Sequence, residues 1–167
     1  VSKTMSTDMK VETCPRPDAP SARPSGRRIG MLANHHDSDE TRLFLTPETC
    51  GRLISDGWEV CMETDAASPI SYADTAYADY GVEIVNRADA LGCDIVLSYA
   101  PIPAPDVEKM HPGAVLLCMF SPALFSRTVI EALKERVVCT IALDEIESHN
   151  GVQVFANIVD DVDGRAA

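Results

Sequence analysis

The chain has 167 residues, 46% apolar and 24% charged, an ordinary balance for a globular fold that can bury a core without disulfides. Its 14 Lys+Arg against 26 Asp+Glu leave a net charge of -12. That excludes nucleic acid and anionic membrane surfaces as natural partners, because both need clustered Lys and Arg. No run approaches the roughly 18 apolar residues of a membrane span, and the N-terminus shows no apolar signal core.

The six cysteines are Cys14, Cys50, Cys61, Cys93, Cys118 and Cys139, and none forms a CxxC pair. Four of them, Cys61, Cys93, Cys118 and Cys139, lie in or beside apolar strand-like runs, where a thiol acts as a small hydrophobe. The pattern predicts a reduced, cytoplasmic protein.

Residues 1–26 carry Pro15, Pro17, Pro20 and Pro24 among Ser, Thr and Gly, and read as a disordered or extended tail. Four basic and three acidic side chains give this tail +1, so residues 27–167, the expected folded domain, carry -13. From residue 28 strand and helix signals alternate. Residues 28–33 read as a short buried strand. Thr46 and Pro47 cap and open a helix that ends at Gly57, with Cys50, Leu53 and Ile54 on one face. Residues 58–62 form the next strand. Ser71 caps a second helix running to Tyr80, and residues 82–85 follow as a strand. Residues 94–99 are a fully buried strand, 104–110 a short helix and 114–120 another strand. Ser121 and Pro122 open a helix with Phe125, Val129 and Leu133 in phase, and 137–143 is the last strand. Such alternation predicts an α/β fold, a Rossmann-like three-layer sandwich with a mainly parallel sheet and helices on both faces.

Neither GxGxxG nor GxxxxGK[ST] occurs, so the usual nucleotide fingerprints are missing. Asn34 to Glu40 places His35, His36 and Asp37 after the first strand, where a metal could be held or a polar loop could simply turn. No metal is expected. Arg42, ahead of a helix N-terminus, is suited to clamp a carboxylate, or to sit solvated at the surface. Asp160, Asp161 and Asp163 read as a solvated end, and His111 and His149 as turn residues.

The run from Asp39 to Pro47 (DETRLFLTP) resembles the NETRVAATP segment of the alanine dehydrogenase and proton-translocating transhydrogenase α-subunit family. Further matches follow in order. They are Gly57–Val60 through Glu63-Thr64, Tyr72–Val85 with its ending Tyr80–Val85, Asp94–Leu97, His111-Pro112-Gly113 with Leu116, Ser121-Pro122-Ala123, and Ala156–Ile158 with Gly164-Arg165. The resemblance spans residues 28–165 and implies the N-terminal domain of that family. This domain packs against a separate NAD(H)-binding domain.

In alanine dehydrogenases this domain supplies an Arg, a Lys and a His. Arg42 fits the first, whereas the other two positions fall on Ala100 and Ser121, which cannot replace them. Gln153 matches the Gln of the transhydrogenase Arg-Gln-Asp loop. The resemblance therefore implies part of a split NAD(P)-linked oxidoreductase, or a degenerate relative, with Arg42 and Gln153 as its catalytic candidates. NAD(P) would come only through a nucleotide-binding partner subunit, and a homodimer is expected. A non-catalytic domain binding a small anion or a protein is the alternative from another class. A metal-dependent enzyme built on His35, His36 and Asp37 is the third.

Overall fold

The computed structural model describes residues 27–34, 41–119 and 125–153. Six strands form one sheet: β1 (Arg27–Met31), β2 (Trp58–Glu63), β3 (Glu83–Val85), β4 (Ile95–Ser98), β5 (Val115–Cys118) and β6 (Cys139–Ala142). Every pairing is parallel and the order is β3-β2-β1-β4-β5-β6. This is the doubly wound order, in which the chain runs outward from β1 in both directions. The sheet is parallel throughout.

The helices are α1 (Pro47–Ser55), α2 (Asp74–Ala78), α3 (Arg87–Leu91), α4 (Ala104–Val107) and α5 (Arg127–Glu135). Strand side chains alternate between two cores. Ile29, Met31, Val60, Met62 and Leu97 pack with Cys50 of α1 and Tyr77 of α2. Val96 and Leu116 pack on the other face with Leu91 of α3, Val107 of α4 and Val129 and Leu133 of α5. The three layers are those expected.

Local chemistry explains most boundaries. Thr46 Oγ1 accepts from the Thr49 amide at 3.3 Å, and Pro47 follows with no amide proton to satisfy. Gly57 then takes φ +88°, which releases the chain into β2.

One expectation needs correction. Ser71 does not cap the second helix. Residues Ser68–Ile70 form a 3-10 turn that ends at Ser71 with φ 63°, and α2 starts only at Asp74. The Ser71 amide bonds the Ser68 carbonyl at 3.0 Å and so closes that turn, and Ala73 takes the N-cap position of α2. The helix over Arg127–Glu135 is capped at Ser126, whose hydroxyl accepts from the Val129 amide. Val129 and Leu133 point inward as expected, while Phe125 precedes the helix. Finally, α3 is too short for periodicity to reveal. It rests on Asn86, whose side chain accepts from the Asp89 amide at 3.0 Å.

Residues 1–26, His35, His36, Asp37, Ser121, Ala156–Ile158, Asp160, Asp161 and Asp163 lie outside the described residues, as do the expectations placed on them. No helix among the described residues is long and apolar enough to cross a membrane.

Candidate functional site

The winding reverses between β1 and β4, so the carboxyl ends of these two neighbours mark the switch point, where sheets of this order usually open a binding crevice. Asn34, three residues beyond β1, joins its walls. Its Oδ1 accepts from the Ala100 amide at 3.3 Å, and its Nδ2 donates to the Arg42 carbonyl at 2.9 Å. Ser98 closes the β4 side by donating to the Ala100 carbonyl at 2.7 Å.

Segment 41–46, leading into α1, is held at three more points. Tyr77 is buried, and its hydroxyl donates to the Leu45 carbonyl at 2.9 Å. Phe44 packs its ring on Tyr99 with centroids 5.1 Å apart. The Arg42 guanidinium lies over the same Tyr99 ring, 4.7 Å from its centroid. Stacking on an aromatic face fixes the plane of the guanidinium, whose fork is the shape that takes a carboxylate in two hydrogen bonds.

An ionic neck supports this crevice from below. Arg87, the first residue of α3, donates to Glu63 at 2.7 Å, to Asp106 at 2.9 Å and to the Ala33 carbonyl at 3.1 Å. Glu63 accepts in turn from the Ala33 amide at 2.8 Å. Asp106 also meets Lys109 at 3.3 Å. Both backbone groups of Ala33 are thereby fixed, and Ala33 precedes Asn34. The neck acts on Arg42 through that one residue.

Arg42 thus lies against Tyr99, the residue after β4, with its carbonyl held by Asn34. Gln153 sits past β6, in an isolated antiparallel bridge with Glu147. Ala100, at the position implied for the lysine, is buried and bonded through both backbone groups, with only a methyl to offer. His111 and His149 lie in turns. Sequence reasoning did not single out Tyr99, Asn34, Arg87 or Glu63 as site residues. Of these, only Asn34, a small amide directly after the first strand, carries a local signal.

The crevice does not fit a dinucleotide. Gly30 lies inside β1, where a Cβ would stand 2.2 Å from the Ala90 carbonyl oxygen. Its lack of a side chain serves the packing of α3 on the sheet. The connection from β1 to α1 contains no glycine, and α1 opens on a capping Thr and a Pro. Bare amides for a pyrophosphate are therefore not presented.

Strand order defines a doubly wound α/β domain whose switch point carries no nucleotide cradle of its own. The alanine dehydrogenase/PNT N-terminal domain matches residues 32–158, and the chain belongs to that family. Among its relatives, the NAD(P) transhydrogenase subunit alpha of Cereibacter sphaeroides is 30% identical over 109 residues, covering 64% of this chain and 21% of that protein. The alanine dehydrogenase of Geobacillus stearothermophilus is 27% identical over 130 residues, covering 77% of this chain and 35% of that enzyme. A solved L-alanine dehydrogenase superposes with a TM-score of 0.67 at 26% identity, over 75% of this chain and 35% of that one. The chain spans about a fifth to a third of the length of these relatives.

Proposed function

We propose that this domain is the substrate-side part of a split NAD(P)-linked oxidoreductase, whose nucleotide is carried by a glycine-fingerprint domain on a partner subunit. The observation that supports it is Arg42. It falls within the family match, at the sheet's switch point, on a segment held by Asn34, Tyr77 and Tyr99. Its role here is to orient an anionic substrate or a partner loop by paired charge-assisted hydrogen bonds. Gln153, on the bridge past β6, is assigned to approach the nicotinamide when the partner docks. This chain performs no hydride transfer alone, since Ala100 offers neither a donor nor a base. The described cysteines are free thiols, in keeping with a cytoplasmic setting, and the assembled form is a homodimer.

The test is native capture of the chain from its own cell, with bound proteins identified by mass. A GxGxxG-bearing subunit in stoichiometric amount supports the proposal. In that complex Arg42→Ala should lower NAD(P)-linked turnover about 10- to 100-fold, the loss of one charge-assisted pair. Capture of the chain only with itself, together with metabolite binding without turnover, would replace this reading by a non-catalytic binding domain.

A further inference from the structure

Beneath α3, away from the crevice, two thiols meet. Cys61 of β2 and Cys93, in the turn between α3 and β4, bring their sulfurs to 3.2 Å. Both are fully buried. They lie 32 residues apart in the chain, so no spacing motif announces them. Between them β1 carries Gly30, and a Cβ there would stand 3.1 Å from Cys93 Sγ. The missing side chain makes the room that the sulfurs share.

The two thiols are not equivalent. The hydrogen bond from Cys93 and the nearby positive charge of Arg28 pull the Cys61 thiol below its ordinary range. The same bond, with burial, pushes Cys93 up. Cys93 also lies 3.6 Å from the Asp89 carbonyl. Arg28 belongs to the same run of β1 and is itself partly exposed.

We propose that Cys61 and Cys93 form an oxidisable dithiol, which a small hydroperoxide converts to an internal disulfide. The Cys61 thiolate attacks the terminal peroxide oxygen and the O–O bond breaks; alkoxide, or hydroxide from hydrogen peroxide, leaves and takes up the proton Cys61 gave up, and Cys61 is left as a sulfenic acid. Cys93 sulfur then attacks the Cys61 sulfur, and its proton leaves with the hydroxyl as water. Two thiols lose two electrons in all, and one hydroperoxide is reduced to water and an alcohol, or to two waters if it is hydrogen peroxide. An S–S bond is about 2.05 Å, so the sulfurs close by only about an ångström. The product ties β2 to the start of β4 across β1, three neighbouring strands at the sheet's centre.

The test uses the full chain. Accessible thiols are blocked with iodoacetamide, hydrogen peroxide is added, and the chain is digested without reduction and mapped by mass. The expected result is one peptide pair joined through Cys61 and Cys93, lighter by two hydrogens and separated by dithiothreitol. In Cys93→Ala, dimedone should label Cys61 as the stranded sulfenic acid. Recovery of both residues as free thiols from peroxide-treated, still folded chain would overturn the proposal. So would linkage that appears only after unfolding in urea, because the fold would then not be what joins them. The wild-type map decides the matter even if the variant does not fold.

Discussion

The centre of the sheet and its β6 edge are built differently. Val60, Cys61 and Met62 of β2 and Val96, Leu97 and Ser98 of β4 are buried in succession, with helices on both faces. No residue of β6 is buried, and Ile141 is 38% exposed. The crevice, the ionic neck and the thiol pair all belong to the centre. The region that carries the chemistry is therefore the region that carries the stability, and substitutions should separate it from the edge by size of effect.

The largest effect is expected at Gly30. A methyl there would lie 2.2 Å from the Ala90 carbonyl oxygen, a backbone atom that cannot rotate away. Gly30→Ala should push α3 off the sheet and cost about 3 kcal/mol. Urea unfolding measures it, and an unchanged midpoint would show that α3 is not seated as described.

Glu63→Gln comes next. It keeps the shape but removes the charge facing Arg87, whose pairing is mostly buried. Leaving Arg87 to share Asp106 with Lys109 should cost about 2 kcal/mol. It should also loosen Ala33 and thus Asn34. If the domain works in the proposed complex, turnover there should therefore fall although Arg42 is intact, and Arg87→Lys, which keeps the charge but loses the fork, should lower it in the same way.

This neck marks the limit of what the sequence made legible. The layers, the parallel order and Thr46 as a cap follow from local signals: apolar runs, turn residues and a hydroxyl before a proline. Arg42 was legible because a motif surrounds it. Arg87, Glu63 and Asp106 come from α3, β2 and α4, and only the crossover connections bring them together. Cys61 and Cys93 meet for the same reason. Ser71 misled because its hydroxyl suits a cap, while its backbone, at φ 63°, ends a 3-10 turn instead. Local chemistry names candidates, and topology chooses which of them touch.

Tyr77→Phe tests the wall that holds Arg42 in place. It removes the bond to the Leu45 carbonyl and should cost about 1 kcal/mol. Burial pushes the Tyr77 hydroxyl up to about 12 from 10.0 and the Cys50 thiol up to about 11 from 9.0. Each group stays protonated in the folded chain after it has ionised in the unfolded one. The unfolded state then binds fewer protons, so stability falls as pH rises. The loss should begin near pH 9 and level off near 12 in the native chain, but near 11 in Tyr77→Phe. Urea midpoints taken across this range give the two curves, and identical curves would mean that Tyr77 is not buried.

The smallest effect is expected at the edge. Ile141→Thr keeps a β-branched side chain in β6 and removes apolar area that is already partly in water. Its hydroxyl can reach solvent, so no buried polar group is created. The cost should stay below about 0.5 kcal/mol. Leu97→Thr makes the sharper partner, because the same hydroxyl would then enter the core beside Met31 and Met62, where it finds no water. If the two substitutions cost the same, β6 is covered in solution, and a second copy of the chain or a partner subunit is the thing to look for on that edge.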